Sequence, residues 1–239
     1  MTSDMRQQPS VARFGFWAAL ATGLLTLVTF AIAIATPPLS GSLCRQDCIS
    51  YPYLDIAERF PRDYYWMFPG LLATLAYTAL MAALHARAAP DRRATAGFAL
   101  GLALMAAFAL LTDYYAQLAM IQPSVIAGER EGLALWSQYN PHGLFIALEE
   151  LGYLLMSLSL AAMAPTLDRS SRLERVVRIV FTGGALVTLL VFAGFLWHLG
   201  HRRGYLFEIA VISIDWLVLI STSFVLVVVF RRELRGSDA

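Results

Sequence analysis

Six mostly apolar stretches follow one another along this chain, and each reaches the roughly 20 residues that a helix needs to cross a bilayer's hydrocarbon core. They cover residues 14–36, 66–87, 95–121, 144–165, 176–198 and 205–230. In a medium without water a spanning segment must satisfy its own backbone, which a helix does and an open strand does not. The pattern therefore predicts an all-α fold, a polytopic bundle of six transmembrane helices forming one domain over 1–239, with short tails at 1–13 and 231–239. Composition agrees: 58% of the 239 residues are hydrophobic and only 15% are charged, against about 25% charged in soluble domains. An ordinary soluble enzyme is excluded.

The formal net charge of +1 suggests no nucleic-acid partner. All 18 basic residues are Arg, so no mechanism that needs a lysine Schiff base is open to the chain. No P-loop or GxGxxG stretch supports a nucleotide either. Twelve of the arginines (6, 13, 87, 92, 93, 169, 172, 175, 178, 231, 232 and 235) fall on one side of the six spans and six on the other. The positive-inside rule then puts both termini in the cytoplasm of a multi-pass inner-membrane protein. Ala33-Ile34-Ala35 has the small-x-small form of a signal-peptide cleavage site. The apolar run before it exceeds the usual signal core of about 7 to 15 residues, so the first helix is read as uncleaved.

On this topology Cys44 and Cys48, the only two cysteines, share the first outer loop and are expected to form a disulfide. Residues 53–60 carry apolar side chains at helical spacing before Pro61, and 128–139 place Leu133, Leu135 and Trp136 among charges. Both segments read as short helices lying in the outer interface, the second of them as a lid.

Ionisable residues inside spans cost roughly 2.5 to 3.5 kcal/mol each at the bilayer centre, so each calls for an explanation. Asp113 lies in the third span, Glu149 and Glu150 in the fourth, Glu208 and Asp215 in the sixth, with His142 and His198 at outer span ends. A rise of 1.5 Å per residue puts Asp113 ~12 Å, the two glutamates ~9 Å, Glu208 ~5 Å and Asp215 ~15 Å below the outer ends. Helical spacing sets His142 above Glu149, Glu208 above Asp215, and Gln117 on the face of Asp113. Glu149 and Glu150 point ~100° apart, so at most one faces inward squarely. Tyr114, Tyr115, Gln122, Ser124, Gln138 and Asn140 add polar groups nearby, and Arg202 and Arg203, beside His201, break the charge asymmetry in the fifth loop. The expectation is a polar cavity lined by Asp113, one of Glu149 and Glu150, and Asp215, roofed by residues 122–142.

Such a cavity suits binding or proton-coupled transport of a small polar or cationic ligand. A metal-dependent hydrolase at the outer leaflet is the alternative, with a divalent metal on Asp113, His142, His198 and Asp215 and a glutamate as general base, although no HExxH motif is present. A membrane assembly or sensing partner, which leaves room for an oligomer, and a haem held by His142 and His198 complete the readings. No other cofactor is expected. The topology is checked by single-cysteine labelling in intact cells. A reporter at Ser170 should be shielded from an impermeant reagent, and one in the loop that holds Ser137 should be reached.

Overall fold

The computed structural model describes residues 2–36, 38–200 and 204–237, with the side chains of residues 2–8, 42, 204, 205, 207, 208 and 237 outside that description. Its helices are α1 (Thr2–Ala35), α2 (Met67–Arg87), α3 (Arg93–Ala116), the short α4 (Gln122–Ile126), α5 (Leu144–Met163), α6 (Arg172–Leu199) and α7 (Gly204–Ser237). Among the described residues six helices are long and apolar enough to cross a membrane. Each long helix packs against its neighbours in sequence, α7 returns to α1, and α5 also touches α7, so the bundle is a closed ring.

The inner faces follow from side-chain size. On α3, Ala96, Ala99, Ala103, Ala106 and Leu110 are buried at alternating steps of three and four, a stripe that brings α3 close to α5. The approach is tightest at Gly152, where an added Cβ would stand 2.6 Å from the Leu110 side chain. Continued by one turn, the same stripe carries Asp113, Tyr114 and Gln117 into the interior. α3 does not stop at Ala116: a π-helical turn, Gln117–Ile121, joins it to α4. Pro123 has no N–H to offer the helical ladder, and the wider turn immediately before it accommodates that loss.

At the end opposite the Arg-rich tails the Cys44–Cys48 disulfide is formed. Where interfacial helices were expected, residues 53–60 and 128–139 hold single 3-10 turns, Ala57–Arg59 and Leu133–Leu135, with a further one at Arg62–Tyr64. Pro61 cuts the first segment short, and the second is drawn inward. Leu133, Ser137, Gln138, Tyr139 and Asn140 are all buried, so this segment plugs the bundle where a surface lid was expected. It is pinned by Ser137 Oγ donating to the Tyr53 carbonyl at 3.0 Å and by Gln117, whose Nε2 donates to the Trp136 carbonyl at 2.5 Å.

The other end is closed by a charged clasp. Arg87 on α2 donates two hydrogen bonds to Glu174 on α6, at 2.6 and 2.9 Å, and one from Nε to Glu233 on α7 at 2.6 Å. Its guanidinium also lies 5.9 Å from the Phe230 ring centroid. Glu174 follows the helix cap Ser171 by three residues and accepts the Asp168 N–H, so the start of α6 is fixed by the same group. Removing one partner of a fully buried pair costs ~3 to 5 kcal/mol. Because Arg87 keeps 23% of its side-chain exposure while Glu174 keeps 4%, Arg87→Met is expected to lose about 2 kcal/mol in denaturant unfolding in mixed micelles. Arg87→Met combined with Glu174→Met should recover most of that loss, since the more deeply buried of the two orphaned carboxylates is then gone and Glu233 keeps 35% of its side-chain exposure.

Candidate functional site

Two helical turns of α5 organise the polar interior. Glu149, Tyr153 and Ser157 stand four residues apart on one face, and between them they meet α3, α7 and α6. The Tyr114 hydroxyl donates to Glu149 Oε1 at 2.8 Å, lies 2.8 Å from the Tyr153 hydroxyl, and Trp216 Nε1 donates to that second hydroxyl at 3.0 Å. Each phenol has one proton and the indole can only donate. The chain therefore has one sense, from Trp216 through Tyr153 and Tyr114 to the carboxyl of Glu149. It joins α7, α5 and α3 in a region where all four side chains are buried.

Asp113 lies within electrostatic reach of Glu149 and is only 2% exposed. Its Oδ2 has no hydrogen-bond partner among the described residues. Asp215, 1% exposed, accepts a hydrogen bond from Ser157 Oγ at 2.5 Å, and Ser157 in turn lies 3.0 Å from Thr188 Oγ1 on α6. Tyr153 is within electrostatic reach of both Glu149 and Asp215. Glu149 and Asp215 are therefore both neighbours of one tyrosine.

Glu149 also reaches a cavity of about 360 Å3 under the loops at the disulfide end. Phe30, Trp66, Phe145 and Trp216 supply aromatic walls, and the second carboxylate is Asp63. Trp66 is packed edge-on to Tyr114 with centroids 5.1 Å apart, and Phe30 edge-on to Trp216 at 5.5 Å. Ile34 and Ile209, both exposed, mark the open side between α1 and α7. The roof comes from both loops, Leu39, Ser40 and Leu43 from the first and Gln138 and Tyr139 from the second. Tyr139 donates to Asp63 Oδ2 at 3.4 Å. Burial, with Tyr64 and Asp63 beside it, pushes the Tyr139 phenol well above the usual tyrosine range, so it remains a donor.

Of the residues singled out in the sequence, Asp113, Tyr114 and Glu149 come together, and among the described residues Glu149 alone of those span acids lines the cavity. The wall is mostly apolar, and Asp215 faces Ser157 instead. Glu150 is half-buried on the next face. Gln117 and Asn140 hold the plug: Gln117 Oε1 accepts the Gln138 N–H, and Asn140 Nδ2 donates to the Ala134 carbonyl at 2.8 Å. Gln122 hydrogen-bonds to Tyr64, and Tyr115 is exposed. His142 and His198 are both exposed, far in character from the buried Asp113 and Asp215. Among the described residues no group of three or more His, Cys, Asp or Glu is placed to hold a metal ion. His201, Arg202, Arg203 and the Glu208 side chain lie outside the described residues.

Sequence reasoning missed Tyr153, Ser157 and Trp216. The first two could have been found, because they continue the Glu149 face at steps of four. Trp216, Trp66 and Asp63 carry no such signal. Set against known proteins, the chain matches no family model, no curated protein and no solved structure.

The hydrogen-bonded chain generates a direct test. Tyr153→Phe removes the central hydroxyl and leaves the Trp216 N–H and the Tyr114 oxygen without their partner, which should cost about 1 to 3 kcal/mol in unfolding. Tyr115→Phe, at an exposed site, should stay within about 0.5 kcal/mol of the parent.

Proposed function

We propose that this integral membrane protein binds a small organic cation in the aromatic cavity, and that the cation and a proton compete for Glu149. On this reading it is a cation-binding or proton-coupled transport protein. Its disulfide-bearing end faces outward, and both termini are cytoplasmic. The supporting observation is the double position of Glu149, which stands on the cavity wall and also at the end of the Trp216–Tyr153–Tyr114 chain beside Asp113.

The wall chemistry favours an amphiphilic cation over a strongly hydrated one. Four aromatic side chains offer ring faces and edges, and such surroundings recognise organic ammonium groups through the ring quadrupole. The Glu149 carboxylate supplies the counter-charge, while Asp63, the second carboxylate on the wall, is already paired with Arg62 at 2.6 Å. A bare, hydrated ion would lose its water to a mostly apolar wall with little in return. The open side between Ile34 and Ile209 suits entry of a ligand that already partitions into the outer part of the bilayer.

The competition with a proton has a definite sign. Lowering the pH adds protons to the acid cluster and removes the charge that holds the cation, so affinity falls as pH falls and protons are released on binding. The test uses benzyltrimethylammonium and its uncharged carbon isostere neopentylbenzene on purified protein in detergent. Quenching of tryptophan fluorescence and calorimetry are the readouts, since Trp66 and Trp216 line the cavity. The cation should bind more tightly than the isostere, and Glu149→Gln should weaken it at least tenfold, about 1.4 kcal/mol. Equal binding of the two probes, or an unchanged affinity in Glu149→Gln, would reject the reading.

A further inference from the structure

The Arg-rich end of the bundle carries a second cavity, remote from the acid cluster and of about 680 Å3. Arg169, Arg175 and Arg178 line it together with Ala164 and Pro165 from the turn after α5. From α6 it takes Ile179, Thr182 and Gly183. On α6 these positions recur at i, i+3, i+4, i+7 and i+8 from Arg175, so they form one face that runs from guanidinium groups to apolar surface over ~12 Å. Ile179 is 65% exposed. Nothing stands within 4 Å of the place where a Cβ on Gly183 would lie. The result is an open slot that is cationic at its head and apolar along its length.

The three arginines are available. Among the described residues none of them is in an ion pair. The carboxylates nearby in sequence are engaged elsewhere, Glu174 by Arg87 and Asp168 by the N–H and hydroxyl of Ser170. Arg175 Nη2 donates to the Arg169 carbonyl at 3.1 Å, which holds two of the three at the same mouth. Arginines scattered over this end would satisfy the positive-inside rule without converging. Here they converge on a concavity whose floor is hydrocarbon.

We propose that this groove holds an anionic phospholipid, with its phosphate against Arg169, Arg175 and Arg178 and an acyl chain along the Ile179–Gly183 face of α6. Planar guanidinium groups match phosphate oxygens, and basic pockets at helix ends in membranes suit anionic headgroups. A free phosphate would use the arginines but leave the apolar slot open. The polarity gradient along the groove is that of a lipid.

The test is native mass spectrometry and thermal unfolding of the full-length protein in detergent, with added phosphatidylglycerol, phosphatidylcholine or inorganic phosphate. Phosphatidylglycerol should be retained and should raise the unfolding temperature, and the other two should do neither. Arg175→Gln with Arg178→Gln should weaken phosphatidylglycerol binding at least fivefold. The same charge loss outside the groove, Arg231→Gln with Arg232→Gln, should leave it within twofold. Gly183→Leu fills the slot without touching an arginine and should also weaken the lipid. Equal binding of phosphatidylcholine, equal stabilisation by inorganic phosphate, or equal loss in the two double-arginine variants would overturn the proposal.

Discussion

A carboxyl group inside a bilayer has no water to turn to, so its partners must come from the protein, and the arrangement of this bundle follows from how that need is met at each end. Near the Arg-rich end the solution is charge pairing: Arg87 gathers Glu174 and Glu233 and in doing so ties α2, α6 and α7 together. Toward the disulfide end the solution is different. Asp215 takes a serine hydroxyl, Glu149 takes a tyrosine hydroxyl, and Asp113 sits beside Glu149 with an unpartnered oxygen. Neutral hydroxyls satisfy lone pairs but bring no opposite charge. At one end the buried carboxylate of Glu174 is matched by a guanidinium, and at the other the buried acids are met by hydroxyls next to a cavity.

The difference between what the sequence shows and what only the packing shows is physical. Apolar length reveals six spans because the bilayer sets that length for every helix alike. The inward direction of Asp113 is legible as well, since the small-residue stripe from Ala96 to Leu110 passes through it. Partners across a helix interface are not legible, because a 3.6-residue period says which face is buried and nothing about which face lies opposite. That is why Asp215, expected beside Asp113 on grounds of depth, meets Ser157, which in turn meets Thr188. It is also why a wall expected to be polar is lined by Phe30, Trp66, Phe145 and Trp216.

Loop behaviour is the other gap. Residues 128–139 have the mixed charge and apolar spacing of a surface segment, yet Leu133 and Ser137 to Asn140 are buried. The cause lies in α3: the π turn before Pro123 places Gln117 and Gln122 so that one amide holds the Trp136 carbonyl and the Gln138 N–H while the other meets Tyr64. A proline with no apparent role in sequence thus sets where the plug enters.

The plug and the acid cluster are consequently parts of one mechanical unit. Asp113 and Gln117 are four residues apart on α3, so the helix that carries the acid beside Glu149 also carries the amide that anchors the loop. Gln138, next to that anchor, lines the cavity together with Glu149. Any rotation or shift of the C-terminal end of α3 that changes the Asp113–Glu149 contact must also move Gln117, and with it the roof. Because the opposite end is held by the Arg87 clasp, such a motion has a fixed base to work against. On the proposed reading, coupling between the charge state of the acid cluster and access to the cavity would require no separate transmitting element, because Asp113 and Gln117 are one helical turn apart.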